Sequence, residues 1–193
     1  MENPISVDNE FYGLILAGGH SSRMGTDKAL IQYHGIPQLE FVYHLLSNHC
    51  DRVFVSAKQQ DDYVGYPIIP DAHNFDSPLN GILSALERYP DKTWLVLACD
   101  MPFVDTASIE DLISNRDTSK IAACYLNEEQ IIEPLFSIWE PSAKGPLLTF
   151  QKSGKTSPNE FLSYQNVELI TTLDPIALVN VNTKEEYSKY DNS

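Results

Sequence analysis

No Cys-x-x-Cys pair, no long apolar run and no excess of positive charge occurs in this 193-residue chain. Each absence removes a class of function. The cysteines are Cys50, Cys99 and Cys124, an odd and widely spaced set that argues against a disulfide framework or structural zinc. A reducing cytoplasm is the simpler setting. The histidines form no H-x-x-x-H pair that would clasp a metal from one helix face. Met1–Glu10 is polar and acidic, unlike a secretory leader, and no apolar run approaches the roughly 20 residues that span a bilayer. Thirteen basic residues stand against 27 acidic ones, for a net charge of −14, which disfavours nucleic acid or anionic lipid as a partner. A soluble cytoplasmic protein is expected, folded as one domain over residues 1–193 with a core of about 11–187.

What is present is a regular alternation of short apolar segments with helical patterns. Strands are predicted at Gly13–Ala17, Arg52–Ala57, Pro67–Ile69, Trp94–Ala98 and Ile121–Tyr125. Helices are predicted at Gln38–His49, Asn80–Arg88 and Ser108–Ser114, the last capped by Asp105 or Thr106. Such alternation argues for a mostly parallel α/β sheet. After Tyr125 the spacing changes. Strands are expected at Glu133–Trp139, Val167–Thr171 and Leu178–Val181, with helical character at Gly145–Gln151. A final helix starts near Thr183, with Asn182 as its cap and Glu185 as the capping-box partner. Met1–Asn9 and Ser188–Ser193 read as frayed ends.

The densest chemistry lies in Leu14-Ile-Leu-Ala-Gly-Gly-His-Ser-Ser-Arg-Met-Gly-Thr-Asp-Lys28. A buried-strand run breaks at Gly18 and Gly19, where the backbone can turn and approach a ligand without Cβ interference. The loop beyond can aim N–H groups at an anion, and Arg23 and Lys28 add charge. In an acidic chain these cations act locally, on a small polyphosphate. The spacing is neither G-x-x-x-x-G-K-[ST] nor G-x-G-x-x-G.

Three further stretches accompany the loop. Asp100, in Leu95-Val-Leu-Ala-Cys-Asp-Met-Pro102, follows a buried strand and stands where open α/β sheets bind ligands. It suits Mg²⁺, a hard cation content with one or two carboxylates, or else it caps a turn before Pro102. Asp71 closes another strand and could accept hydrogen bonds from a base or ribose, while Pro78–Gly81 leads into a helix. In Val179-Asn-Val-Asn-Thr183, a strand would turn Asn180 and Asn182 to one face as paired amides. Lys152, Lys155 and Ser157 occupy a polar loop that could receive a second phosphorylated substrate.

Taken in order, L-A-G-G-x-S-S-R-M-G-x-D-K-A-L, P-L-x-G-I, C-D-M-P, P-L-F-x-I-W and N-V-N-T resemble the MobA-like nucleotidyltransferases from Leu14 to about Tyr187. The resemblance implies a three-layer α/β/α, Rossmann-like nucleotidyltransferase fold. It also implies GMP transfer from GTP to Mo-molybdopterin, with Mg²⁺ as cofactor and pyrophosphate as product. Leu16, Ala17, Gly18 and Gly19 would meet the nucleotide, and Arg23 and Lys28 its phosphates. Asp71 would hold the guanosine part, and Asp100 both nucleotide and metal. Lys155, Asn180 and Asn182 would face the acceptor. Other molybdenum cofactor biosynthesis proteins become expected partners. The alternatives are a CTP- or sugar-phosphate-type transferase with another phosphorylated acceptor, or a non-catalytic nucleotide-binding relative. Four positions depart from the family pattern: Ser56 for asparagine, Ser77 for glycine, Lys155 for arginine, and Glu133-Pro134 before Leu135-Phe136.

Overall fold

The computed structural model describes residues 11–17, 28–59, 63–172, 174–181 and 183–190. Seven strands form one sheet: β1 (Phe11–Leu16), β2 (Arg52–Ala57), β3 (Ile68–Pro70), β4 (Thr93–Ala98), β5 (Ala122–Leu126), β6 (Ile132–Trp139) and β7 (Val167–Thr171). Their order is β3-β2-β1-β4-β6-β5-β7. Only β6 runs against the rest, pairing antiparallel with both β4 and β5. The helices are α1 (Gln38–Ser47), α2 (Pro78–Arg88), α3 (Thr106–Ser114), α4 (Lys144–Lys152), α5 (Pro158–Ser163) and α6 (Lys184–Tyr190).

The two-residue period of the strands explains the layers. Phe11, Ile15, Leu95 and Leu97 point to one face, against Val42 and Leu46 of α1 and Ile109 and Leu112 of α3. Leu14, Leu16, Trp94 and Val96 point to the other, against Ile82 and Leu86 of α2, Leu147 of α4 and Phe161 of α5. Burying each such side chain contributes about 1.5–3 kcal/mol, so the continuous apolar runs of β1 and β4 are what a sheet covered on both faces requires. The result is a three-layer α/β/α architecture. At the amino end of β4, Arg116 Nε donates to Glu140 Oε1 at 2.5 Å and Thr93 Oγ1 donates to Glu140 Oε2 at 3.0 Å. That buried trio ties β4 to the end of β6 far from the carboxyl edge. Among the described residues, no helix is long and apolar enough to cross a membrane.

Three sequence expectations are corrected. Leu178–Val181 is not a strand: Pro175–Leu178 forms a 3₁₀ turn, with Asp174 Oδ1 accepting from the Ile176 N–H at 3.0 Å. Proline and the Asp cap outweigh the β-branched residues that follow. The cap of the last helix is Thr183, whose Oγ1 accepts from the Glu186 N–H at 3.1 Å, so the Asn182–Glu185 pair is displaced by one residue. Asn182 itself lies outside the described residues. Residues 188–190 belong to α6 and are not frayed, while 1–9 and 191–193 lie outside the described residues.

Candidate active site

Because β1, β2, β3 and β4 are parallel, their carboxyl ends converge on one edge of the sheet, where ligands bind in open α/β folds. Leu16 and Ala17 finish β1 there. The Leu16 carbonyl accepts from the Cys99 N–H at 3.2 Å, and the Ala17 carbonyl accepts from the Tyr63 hydroxyl at 3.2 Å. Asp71 leaves β3 with its N–H donated to the Ala57 carbonyl at 2.9 Å. Gly18, Gly19, Gly25 and Arg23 lie outside the described residues.

Lys28 opens a 3₁₀ turn, Lys28–Leu30, and its ammonium lies 3.3 Å from Asp100 Oδ2. Both side chains are partly exposed, so the pair is a solvated contact and not a buried bridge. The other oxygen, Asp100 Oδ1, is buried, and none of the described residues donates a hydrogen bond to it. A buried carboxylate oxygen without a donor is costly unless a cation or ligand group meets it. Behind it, the Val181 N–H donates to the Asp100 carbonyl at 2.6 Å, and the Tyr33 hydroxyl donates to the Val181 carbonyl at 3.4 Å. Burial, reinforced by the charges of Asp100 and Glu186, pushes the Tyr33 phenol up to about 12. Tyr33 therefore remains a neutral donor near pH 7. The Tyr187 ring of α6 packs 4.9 Å from Tyr33 and stacks on Phe103 at 4.9 Å, so the last helix is docked beside the Asp100 turn.

The Asp71 carboxylate is seated by close packing. Ser56 Oγ donates to Asp71 Oδ1 at 3.0 Å from the end of β2. Gly81 of α2 presses on that serine: a Cβ there would lie 2.1 Å from Ser56 Oγ and 3.2 Å from Leu16 Cδ2. Only glycine lets the helix approach this closely, and a larger Ser56 replacement would meet the same wall. Asn80, 2% exposed, clamps the next loop by donating to the carbonyls of His73 (2.6 Å) and Phe75 (2.9 Å) and accepting from the His73 N–H at 3.1 Å. The clamped loop borders a cleft of about 410 Å³ lined by Lys58, Asp71, His73, Phe75 and Asp76, with the Lys58–Asp76 ion pair at 3.8 Å. Ser77 caps α2 by accepting from the Leu79 N–H, and its hydroxyl donates to the Thr156 carbonyl at 2.6 Å. The serine that replaces a glycine of the family pattern thus ties two loops together.

On the far side of β4 the arrangement differs. Asn180 Nδ2 donates to Glu133 Oε2 at 3.3 Å. Glu133 went unassigned in the sequence, although it is the one charged residue in the apolar strand 132–139. Its placement depends on which strands flank β6, which spacing alone does not give. Lys155 is turned to its own neighbourhood: it pairs with Glu160 at 2.6 Å and lies over the rings of Phe150 and Tyr164. Lys152, expected in a loop, ends α4, and residues 153–157 are the α4–α5 connection, ended by Ser157, which accepts from the Glu160 N–H. Lys28, Asp100 and the Val181 backbone are brought together, with Asn180 adjoining them, whereas Lys155 contacts none of these. Among the described residues, no three His, Cys, Asp or Glu side chains form a metal cage.

A family model for the MobA-like NTP transferase domain matches residues 13–168. The chain is 31% identical over 185 residues to the molybdenum cofactor guanylyltransferase of Histophilus somni, covering 93% of this chain and 95% of that protein. It is 35% identical over 183 residues to a molybdenum cofactor biosynthesis bifunctional protein of Synechocystis sp.. That match covers 92% of this chain and 53% of the relative, so the chain spans about half of that protein's length. Among solved structures, molybdopterin-guanine dinucleotide biosynthesis protein A from Archaeoglobus fulgidus superposes with a TM-score of 0.77 at 21% identity, covering 94% and 97% of the two chains. At that identity the superposition establishes a shared fold.

Proposed function

The chain belongs to the MobA-like NTP transferase family, and from that premise we propose that this nucleotidyltransferase moves GMP from GTP to the phosphate of Mo-molybdopterin. The observation that carries this is the Lys28–Asp100 pair at the carboxyl edge of the sheet, with Asp100 Oδ1 buried and met by no donor among the described residues. It combines a cation for phosphate with an oxygen for a divalent metal, within a family of nucleotide transferases. Relatives named guanylyltransferases favour GTP over CTP.

The donor set fits Mg²⁺, since Asp100 offers a hard, buried carboxylate oxygen that no donor among the described residues satisfies. Mg²⁺ held there would neutralise charge on the phosphate oxygens. The chain's own residues do the rest. Leu16, Ala17, Gly18 and Gly19 line the nucleotide, Asp71 takes the guanosine, and Lys28 and Arg23 hold the β- and γ-phosphates. An oxygen of the acceptor phosphate attacks the α-phosphorus, forming one P–O bond. The bond to the β-phosphate oxygen breaks in line, and its electron pair leaves with pyrophosphate. The attacking phosphate is already ionised near pH 7, so no protein base is needed. Positioning and charge stabilisation carry the rate. Asn180 and Asn182 are assigned to the acceptor, Lys155 being held by Glu160 away from them, and delivery by another molybdenum cofactor biosynthesis protein is part of the proposal. Cys50, Cys99 and Cys124 are all buried and form no disulfide with one another, which accords with a cytoplasmic enzyme.

The test is pyrophosphate release and product mass with GTP, CTP, ATP and UTP, each across Mo-molybdopterin and a panel of sugar and alcohol phosphates. GTP with Mo-molybdopterin is expected to turn over fastest. Efficient transfer to another acceptor, with none to Mo-molybdopterin, would refute the substrate assignment.

A further inference from the structure

Glu133 sits at an irregularity in the sheet. β6 pairs with β4 from Trp94↔Trp139 to Leu97↔Phe136. Against β5, however, its register jumps from Cys124↔Ser137 to Tyr125↔Glu133. Residues 134–136 therefore bulge out of the β5 ladder, and bulges commonly re-aim the side chains beside them. One Glu133 oxygen serves the bulge: Oε1 accepts from the Leu135 N–H at 2.8 Å. That contact explains a carboxylate here on structural grounds. The second oxygen does something else, because Oε2 accepts from the side chain of Asn180 on a different segment.

An ionised carboxylate only accepts hydrogen bonds, so the Asn180 amide must turn its N–H side toward Glu133 and its carbonyl oxygen away. Asn180 is exposed, and its chain neighbour Val181 donates to the Asp100 carbonyl. Burial pushes the Glu133 carboxyl above the usual carboxylate range, with a smaller push in the same direction from the charge of Asp100. The Leu135 and Asn180 donors oppose that rise. Strand order sets this pair apart from the residues assigned to the nucleotide. β4 separates it from β1, β2 and β3, whose ends carry the nucleotide residues.

We propose that Glu133 is a positioning residue for the acceptor, fixing the Asn180 amide so that its carbonyl oxygen takes an N–H or O–H donor of the incoming phosphorylated molecule. This role presupposes the nucleotidyl transfer proposed above. It makes Asn180 an oriented acceptor of hydrogen bonds instead of an amide free to rotate. Glu133 acts only through it.

Steady-state KM values for GTP and for acceptor test the idea in Glu133→Gln, Glu133→Ala, Asn180→Ala and the Glu133→Ala/Asn180→Ala double variant. Loss of one oriented hydrogen bond predicts a roughly five- to tenfold rise in acceptor KM for Glu133→Ala and Asn180→Ala, with GTP KM held within about twofold. The double variant should be no worse than Asn180→Ala, since the two residues act as one unit. Glu133→Gln keeps the volume of the bulge, so a rise in its acceptor KM with an unchanged urea midpoint separates positioning from folding. GTP and acceptor KM rising together would overturn the proposal, as would an unchanged acceptor KM in Glu133→Gln and Glu133→Ala, or full multiplication of effects in the double variant. If wild type ignores Mo-molybdopterin, the function assignment fails on its own. The same KM comparison then runs with whichever acceptor of the panel turns over.

Discussion

On the β1–β2–β3 side of Asp100 the functional groups are seated by buried contacts, whereas on the β6–β5–β7 side Asn180 and Lys155 are exposed and each is steadied by one neighbouring carboxylate. Ser56 and Asn80 are 5% and 2% exposed and hold Asp71 and its loop through the packed end of α2. Asn180 is exposed and has Glu133 for its side-chain partner, and the Lys155 side chain is 47% exposed. A ligand gains affinity from a site already ordered before it arrives, because little side-chain entropy remains to be lost, so truncation should act differently in the packed half and in the open one.

The comparison can be broken or sharpened by substitution, and the largest effect belongs to the boundary between the halves. Asp100→Ala should lower GMP transfer about 10³-fold, as loss of a preorganised electrostatic group does, with the fold intact by circular dichroism. A loss under tenfold in a pyrophosphate-release assay would remove Asp100 from the centre of the chemistry.

Next comes packing. Gly81→Ala drives a methyl into Ser56 and should cost about 1–3 kcal/mol in urea denaturation while raising GTP KM. Gly145→Ala, in α4, adds a methyl that meets nothing within 4 Å and should leave stability equal or better by up to about 1 kcal/mol. Equal costs at the two glycines would erase the proposed contrast. Asn80→Ala orphans the His73 N–H and two carbonyls, so about 2 kcal/mol should be lost, with GTP KM rising more than acceptor KM. The smallest effect is expected at Lys155→Ala. Its ammonium is engaged by Glu160 in the open, so the unfolding midpoint should not move and acceptor KM should rise by about twofold at most. A tenfold rise would bring the α4–α5 connection into the acceptor site.

The same asymmetry governs what the amino-acid sequence made legible. Arg52–Ala57 and Val167–Thr171 fall on their expected bounds because apolar, β-branched runs end there at turn residues. The pairing of Lys28 with Asp100 was foreseeable, since both close motifs that follow central strands. Asp71 was likewise marked by its strand end. Its support by Ser56 and Gly81 was not, because that contact joins β2 to α2 across the sheet face. Glu133 stood out only as a departure from the family pattern and was given no role, for a related reason: its partners are set by a bulge and by strand order, neither of which leaves a local periodicity. Pro175–Leu178 misled in the opposite sense, with an apolar run that resembles a strand but carries a proline and an aspartate cap.

The docking of α6 has a consequence for how the protein comes into being. Chains emerge from the ribosome amino end first, and early segments can fold before later ones exist. Lys28, Asp71 and Asp100 are therefore available long before Val181 can brace the Asp100 carbonyl or Tyr187 can stack on Phe103. A chain made only as far as Asp100 carries Lys28, Asp71 and Asp100 without the contacts that Val181 and Tyr187 later place beside them.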